Sequence, residues 1–258
     1  MTLTTSQFAG IVGAWLWPFI RVGAFLLAAP VFGNRAVPSR VRMGLTIGVT
    51  LVVVPVLPTM PALDPFSSQG LLTAVQQVVI GLALGFSLRL VYAVLEVGGQ
   101  LIAHLSGLGF AALVDPQNGI DVPVVSQLYI VVATLVFLGL DGHLVVIRVL
   151  ADSFLNLPVG PMGISRMGLW HLSEQAGWFL SAAVLLAVPA VAALLTVNLA
   201  FGVMTRAAPQ LNIFAVGFPV TLLFGLAIMW LTLPGAIAQF EELFDDGVAF
   251  ARAVLARN

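Results

Sequence analysis

Apolar residues run on in this sequence for longer than a soluble fold can use. The runs cover residues 8–32, 41–57, 71–95, 126–140, 177–204 and 213–233. A hydrocarbon core of ~30 Å takes about 20 apolar residues as a helix. Inside it, backbone polar groups must find partners within the protein. The runs therefore predict an all-α, polytopic membrane protein with up to six spans, read as one domain. Residues 141–176 mix polar positions with apolar runs such as 144–150, which leaves the span count open.

Composition agrees. The chain of 258 residues is 60% hydrophobic and 8% charged, where soluble domains carry roughly 25% charged residues. Such a surface must face lipid or other apolar subunits. There is no Cys, which excludes disulfides, thiolate metal sites and Cys nucleophiles. All 10 basic residues are Arg, and the net charge of -1 offers nucleic acid no basic stripe. Residues 1–10 lack a basic n-region, and the first apolar run outlasts the ~7–15 residues of a signal-peptide core. It reads as a retained membrane segment.

Several spans are irregular. Pro18, Pro189 and Pro219 lie inside them, and each removes a backbone donor and favours a kink. Gly44-x-x-x-Gly48 and Gly81-x-x-x-Gly85 offer small faces on which another helix can pack closely, although glycine is common in membrane helices. Arg35, Arg40, Arg42 and Arg206 follow the first and fifth spans, and by the positive-inside rule put both loops in the cytoplasm. Residues 239–258 alternate acidic and apolar positions, as an amphipathic helix outside the hydrocarbon does.

Arg21 sits mid-span, roughly 18 Å from either end and too far to snorkel. It should face the protein interior and bond carbonyls or a carboxylate, as a buried polar anchor. Arg89 and Glu96 share a helical face but are two turns apart. His104, Asp141, His143, Arg148 and Asp152 are residue types a proton relay uses, and equally types that bond backbone at an interface. Motifs for metalloprotease, serine hydrolase, phosphate-loop and dinucleotide sites are missing, so neither catalysis nor a cofactor nor a metal is expected.

Two segments break the membrane pattern. Residues 106–123 contain Gly107 and Gly109, the turn pairs Asp115-Pro116 and Asn118-Gly119, and apolar residues from Phe110 to Val114. An apolar non-helical loop survives at membrane depth only where protein buries it or where it lines a cavity. Such a loop either packs for stability or closes a pore by dewetting. Residues 204–214 form a hairpin tip. Arg206 is placed to cap the carbonyls ending one helix, Pro209 stops that helix, and Gln210 and Asn212 satisfy the turn.

Met-Thr-Arg-Ala-Ala-Pro-Gln-Leu-Asn-Ile-Phe-Ala-Val-Gly-Phe-Pro at residues 204–219 resembles a hallmark of the FliR family of type III secretion export-gate proteins. Gly-Leu-Gly-Phe-Ala-Ala-Leu-Val-Asp-Pro-Gln-Asn-Gly at residues 107–119 is similar to a second hallmark. Arg21, Ala29-Pro30-Val31-Phe32 and Val37-Pro38 fit the family's N-terminal pattern. The longer form of the loop motif, through residues 122–128, looks flagellar more than virulence-type.

The resemblance implies a FliP-like part over residues 1–176, then a FliQ-like helical hairpin over 177–234, with 239–258 as tail. It implies a non-catalytic subunit of the flagellar basal body in the bacterial inner membrane. FliP, FliQ and FlhB would be its partners and unfolded flagellar proteins its cargo. Gly107, Gly109, Phe110, Asp115 and Pro116 would belong to a loop closing the channel. Arg206, Pro209, Gln210 and Asn212 would form the hairpin turn. Members of the family are also understood to sit raised out of the bilayer plane. The alternatives are the matching subunit of an injectisome or a small-solute transporter. The transporter's expected inverted repeats are not visible.

Overall fold

The computed structural model describes residues 5–34, 36–108, 124–160, 162–208 and 213–256. These form helices and no strand: α1 (Thr5–Ala28), α2 (Ser39–Val53) with a 3-10 turn (Val54–Val56), α3 (Ser68–Leu105), α4 (Val124–Gly139), α5 (Gly142–Asn156), α6 (Arg166–Ala207) and α7 (Ile213–Val254).

Helix ends follow local chemistry. Pro55 and Pro58 close α2 through its 3-10 turn. Asp141, in the left-handed region at φ 54°, breaks α4 from α5. Pro18, Pro189, Pro219 and Pro234 all lie within helices.

Among the described residues, four helices are long and apolar enough to cross a membrane, or five if α4 and α5 are one broken span. Within the run at 8–32, Val12–Ala28 counts as a shorter apolar helix. Three helices outrun their apolar stretches. The run at 71–95 continues to Leu105, and the run at 177–204 begins at Arg166. The tail from residue 239 prolongs α7 without a break. At 1.5 Å per residue, the 38 residues of α3 extend roughly 57 Å, and the 42 of α6 or α7 roughly 63 Å.

The chain forms two compact units. One comprises Met1–Leu90, Leu138–Ala176 and Phe244–Asn258. Its core includes Trp17, Arg21 and Phe25, one stripe of α1 at helical spacing. Gly81 and Gly85 of α3 let α1 approach at backbone distance. A Cβ at Gly85 would stand 2.7 Å from the Phe25 carbonyl oxygen and 2.7 Å from Ala28 Cβ. Gly44 and Gly48 meet nothing within 4 Å. The same spacing is thus a covered contact on α3 and an open face on α2. In the last turns of α7, Phe244, Val248 and Ala251 are buried, and Asp245 and Asp246 are exposed.

The other unit comprises Val91–Phe137 and Gly177–Leu243. Tyr92 stacks edge-on against Phe137 and Phe240, at centroid distances of 6.4 and 5.6 Å. Ala183, Ala187, Ala190 and Leu194 form the inward stripe of α6, while Leu185 and Leu199 point outward.

The contrast between the glycine pairs is testable. Gly85→Leu forces α1 and α3 apart and should cost about 1–3 kcal/mol by overpacking. It should lower the melting temperature of the chain purified in mild detergent, whereas Gly48→Leu leaves it unchanged. Equal effects would remove the special role given to the α3 pair.

Candidate functional site

Arg21 is completely buried, and it is the only fully buried charged side chain among the described residues. A guanidinium keeps its charge and has five N–H donors. All five are used. Nε and Nη2 both donate to Gln77 Oε1, at 2.8 and 2.6 Å. Nη1 donates to the Ser153 carbonyl at 2.9 Å and to Ser153 Oγ at 3.1 Å. Nη2 also reaches the Leu157 carbonyl at 2.8 Å. The Phe154 ring lies under the cation, 4.1 Å from Cζ to centroid.

The acceptors have a pattern. Ser153 lies in the last turn of α5 and Leu157 just follows it, where the helix dipole carries partial negative charge and favours a cation; the Ser153 carbonyl also accepts the Leu157 N–H at 2.9 Å. Gln77 is itself steered, because its Nε2 donates to the Thr73 carbonyl at 3.3 Å. Arg21 thus ties α1 to α3 and to the end of α5. The expected carbonyl partners are present, and an amide and a hydroxyl take the place of a carboxylate. No solvent reaches the group, so its chemistry is that of a clamp.

The second constellation lies at the root of the segment 106–123. Gly107 has φ 77°, a backbone state that side chains with a Cβ disfavour. A Cβ there would stand 3.4 Å from the Phe218 ring of α7. Asn198 of α6 donates to the Leu105 carbonyl at 3.1 Å and so caps the end of α3. Gly225 of α7 makes room for Ser106, where a Cβ would come within 2.5 Å of Ser106 Cβ. On the far side, Ser126 Oγ donates to the Glu96 carbonyl at 2.9 Å. Gly109, Phe110, Asp115 and Pro116 lie outside the described residues.

At the hairpin tip, Arg206 is exposed in the last turn of α6, and Pro209, Gln210 and Asn212 lie outside the described residues. Arg89, His104, Asp141 and Arg148 are exposed, and Glu96, His143 and Asp152 half-buried. Among the described residues no group of three or more His, Asp or Glu is arranged to hold a metal. Gln77, Ser153, Asn198 and Gly225 were not singled out from sequence. Gln77, an amide deep in an apolar run, is the one whose position carried a signal.

Arg21→Leu leaves Gln77 Oε1 and the Leu157 carbonyl without this donor in an apolar interior. The expected cost is of the order of 3–5 kcal/mol, seen as loss of folded chain in membrane extracts. An unchanged folded yield would remove the clamp role.

The sequence model of the bacterial export proteins, family 1, matches residues 12–247. The chain is 40% identical to the flagellar biosynthetic protein FliR of Pectobacterium carotovorum subsp. carotovorum, over 95% of this chain and 94% of that one. It is 37% identical to the FliR of Escherichia coli (strain K12), over 95% and 94%. With the FliR of Bacillus subtilis (strain 168) the identity is 26%, over 94% and 95%. Both hallmark segments fall inside the matched range. The chain therefore belongs to the bacterial export proteins, family 1, among the flagellar biosynthetic FliR proteins.

Proposed function

We propose that the chain is a non-catalytic subunit of the flagellar type III export gate in the bacterial inner membrane. With FliP- and FliQ-type subunits it builds the channel through which unfolded flagellar proteins leave the cell, and an FlhB-type subunit joins at the cytoplasmic side. The family match over nearly the whole chain supports this reading.

The outer face of α6 is the structural observation that accompanies it. Apolar residues are exposed along it from Leu180 to Met204, roughly 36 Å of helix, and Ser173 and Glu174 are exposed before them. Such a stretch crosses ~30 Å of hydrocarbon at a tilt of about 34°, within the 0–40° range of membrane helices, as a membrane-embedded subunit requires.

Within this reading, the loop bearing Gly107, Gly109, Phe110, Asp115 and Pro116 seals the resting channel, and Arg206, Pro209, Gln210 and Asn212 form a turn that contacts neighbouring subunits. The fixed root at Leu105–Gly107 supports the seal, since a barrier needs an anchored base.

Pull-down of the tagged chain in gentle detergent, followed by mass spectrometry, should recover FliP-, FliQ- and FlhB-type proteins in one large complex. A lone monomer or homodimer would reject the assembly, and an injectisome set would move the assignment to that machine. Deleting residues 107–116 should raise the ion conductance of the reconstituted closed complex. Unchanged conductance would end the sealing role.

A further inference from the structure

The chain that joins α1 to α2 serves neither the Arg21 clamp nor the root of the segment 106–123. Within it Val31 has φ 66°. The Phe32 N–H bonds the Pro30 carbonyl, two residues back, at 2.7 Å. A three-residue turn with its middle residue at positive φ is the rare, strained form. A β-branched side chain adds to the strain, because its Cβ crowds the following carbonyl. Such a state persists only where the surroundings hold it. On one side the hold is plain. Ala29 and Pro30 are buried, and the Gly33 N–H bonds the Ala29 carbonyl at 2.8 Å. Gly33 is packed so closely that a Cβ there would collide with the Leu27 carbonyl oxygen.

Arg42 supplies the hold on the other side. It lies near the start of α2, where the helix dipole disfavours a cation, and no carboxylate precedes Asp64 in the chain. Its side chain turns back to the joint. Nε donates to the Phe32 carbonyl at 3.2 Å, and Nη2 to those of Asn34 and Val37 at 3.1 and 3.4 Å. Phe32 follows Val31 directly, so the first of these bonds acts on the strained turn itself. Beyond the joint α2 is lightly seated. Only Thr46, Thr50 and Val53 are buried in it, and Thr46 rests against Gly23 of α1.

We infer that the connection is a spring-loaded joint, with Val31 as the strained element and Arg42 as the latch that keeps α2 seated on α1. Loss of the Arg42 bonds lets Val31 pass to negative φ. That passage redirects the chain and lifts Thr46 from Gly23. The preference of valine against the left-handed state biases the joint towards release by roughly tenfold.

The test reads the joint in the full-length chain in mild detergent. Spin labels go on Trp15→Cys of α1 and Val52→Cys of α2, with no native cysteine to compete. Both positions are exposed, and both lie well away from the joint, where a hinge motion is large. The parent pair should give one short distance. Arg42→Gln should raise the ratio of long to short distances by about tenfold. Val31→Gly added to Arg42→Gln should return that ratio by about the same factor, because glycine carries no strain to release. A ratio unmoved by Arg42→Gln, or no recovery in the double variant, would overturn the latch. Without any Arg42 substitution, Val31→Gly should melt higher than Val31→Ala, the reverse of the order at an ordinary position. Equal melting or the ordinary order removes the strain, and the proposal with it, even if Arg42→Gln does not fold.

Discussion

Burial of the Arg21 guanidinium is the constraint around which its unit is arranged. A cation in an apolar interior costs several kcal/mol unless its hydration is replaced bond for bond. Here a glutamine oxygen, a serine hydroxyl and two helix-end carbonyls replace it. Two are carbonyls at the end of α5, where the helix dipole favours a cation. One constraint thus answers another: the charge needs acceptors and the helix end favours a cation. Because Arg spreads its donors over a planar fork, it reaches α3 and α5 together, which a lysine ammonium cannot do with the same geometry.

That clamp works alongside the glycine pair on α3. Arg21 and Phe25 lie one turn apart on α1, and Gly81 and Gly85 lie one turn apart on α3. The glycines bring the helices together where the guanidinium must reach Gln77. A bulkier residue at either would lengthen the Nη2–Gln77 contact. Packing and hydrogen bonding therefore depend on the same few residues, and neither is independent of the other.

Much of this was legible in the sequence. Fold class follows from the length of the apolar runs, and the interior position of Arg21 from its distance to either end of its run. Its partners were not legible: Ser153 and Leu157 are more than 130 residues away, and a backbone carbonyl has no sequence signature. Helix ends were not legible for a related reason. Hydropathy marks where lipid or protein contact begins, whereas a helix continues as long as its backbone bonds have support. So α3 passes through Gly98 and Gly99 to Leu105, and α7 carries its acidic residues on an exposed face while Phe244 and Val248 stay buried. The glycine pairs at 44/48 and 81/85 are identical as patterns, and only the structure separates covered from open.

The two hallmark segments lie about a hundred residues apart, yet they belong to one contact. Gly107 opens the first, Phe218 lies next to the end of the second, and the ring stands where a side chain at Gly107 would point. The positive φ at Gly107 turns the chain out of α3 beside that ring. Asn198 fixes the carbonyl just before the turn, and Gly225 admits Ser106. The α6–α7 hairpin thus sets the direction in which the chain leaves α3. A local reading of residues 204–219 finds only a well-formed helix turn, because the feature that Phe218 constrains lies in the other segment. The end of α3 at Gly107 and the hairpin at Phe218 therefore share one contact, and a change in the hairpin near Phe218 acts on the point where the chain leaves α3.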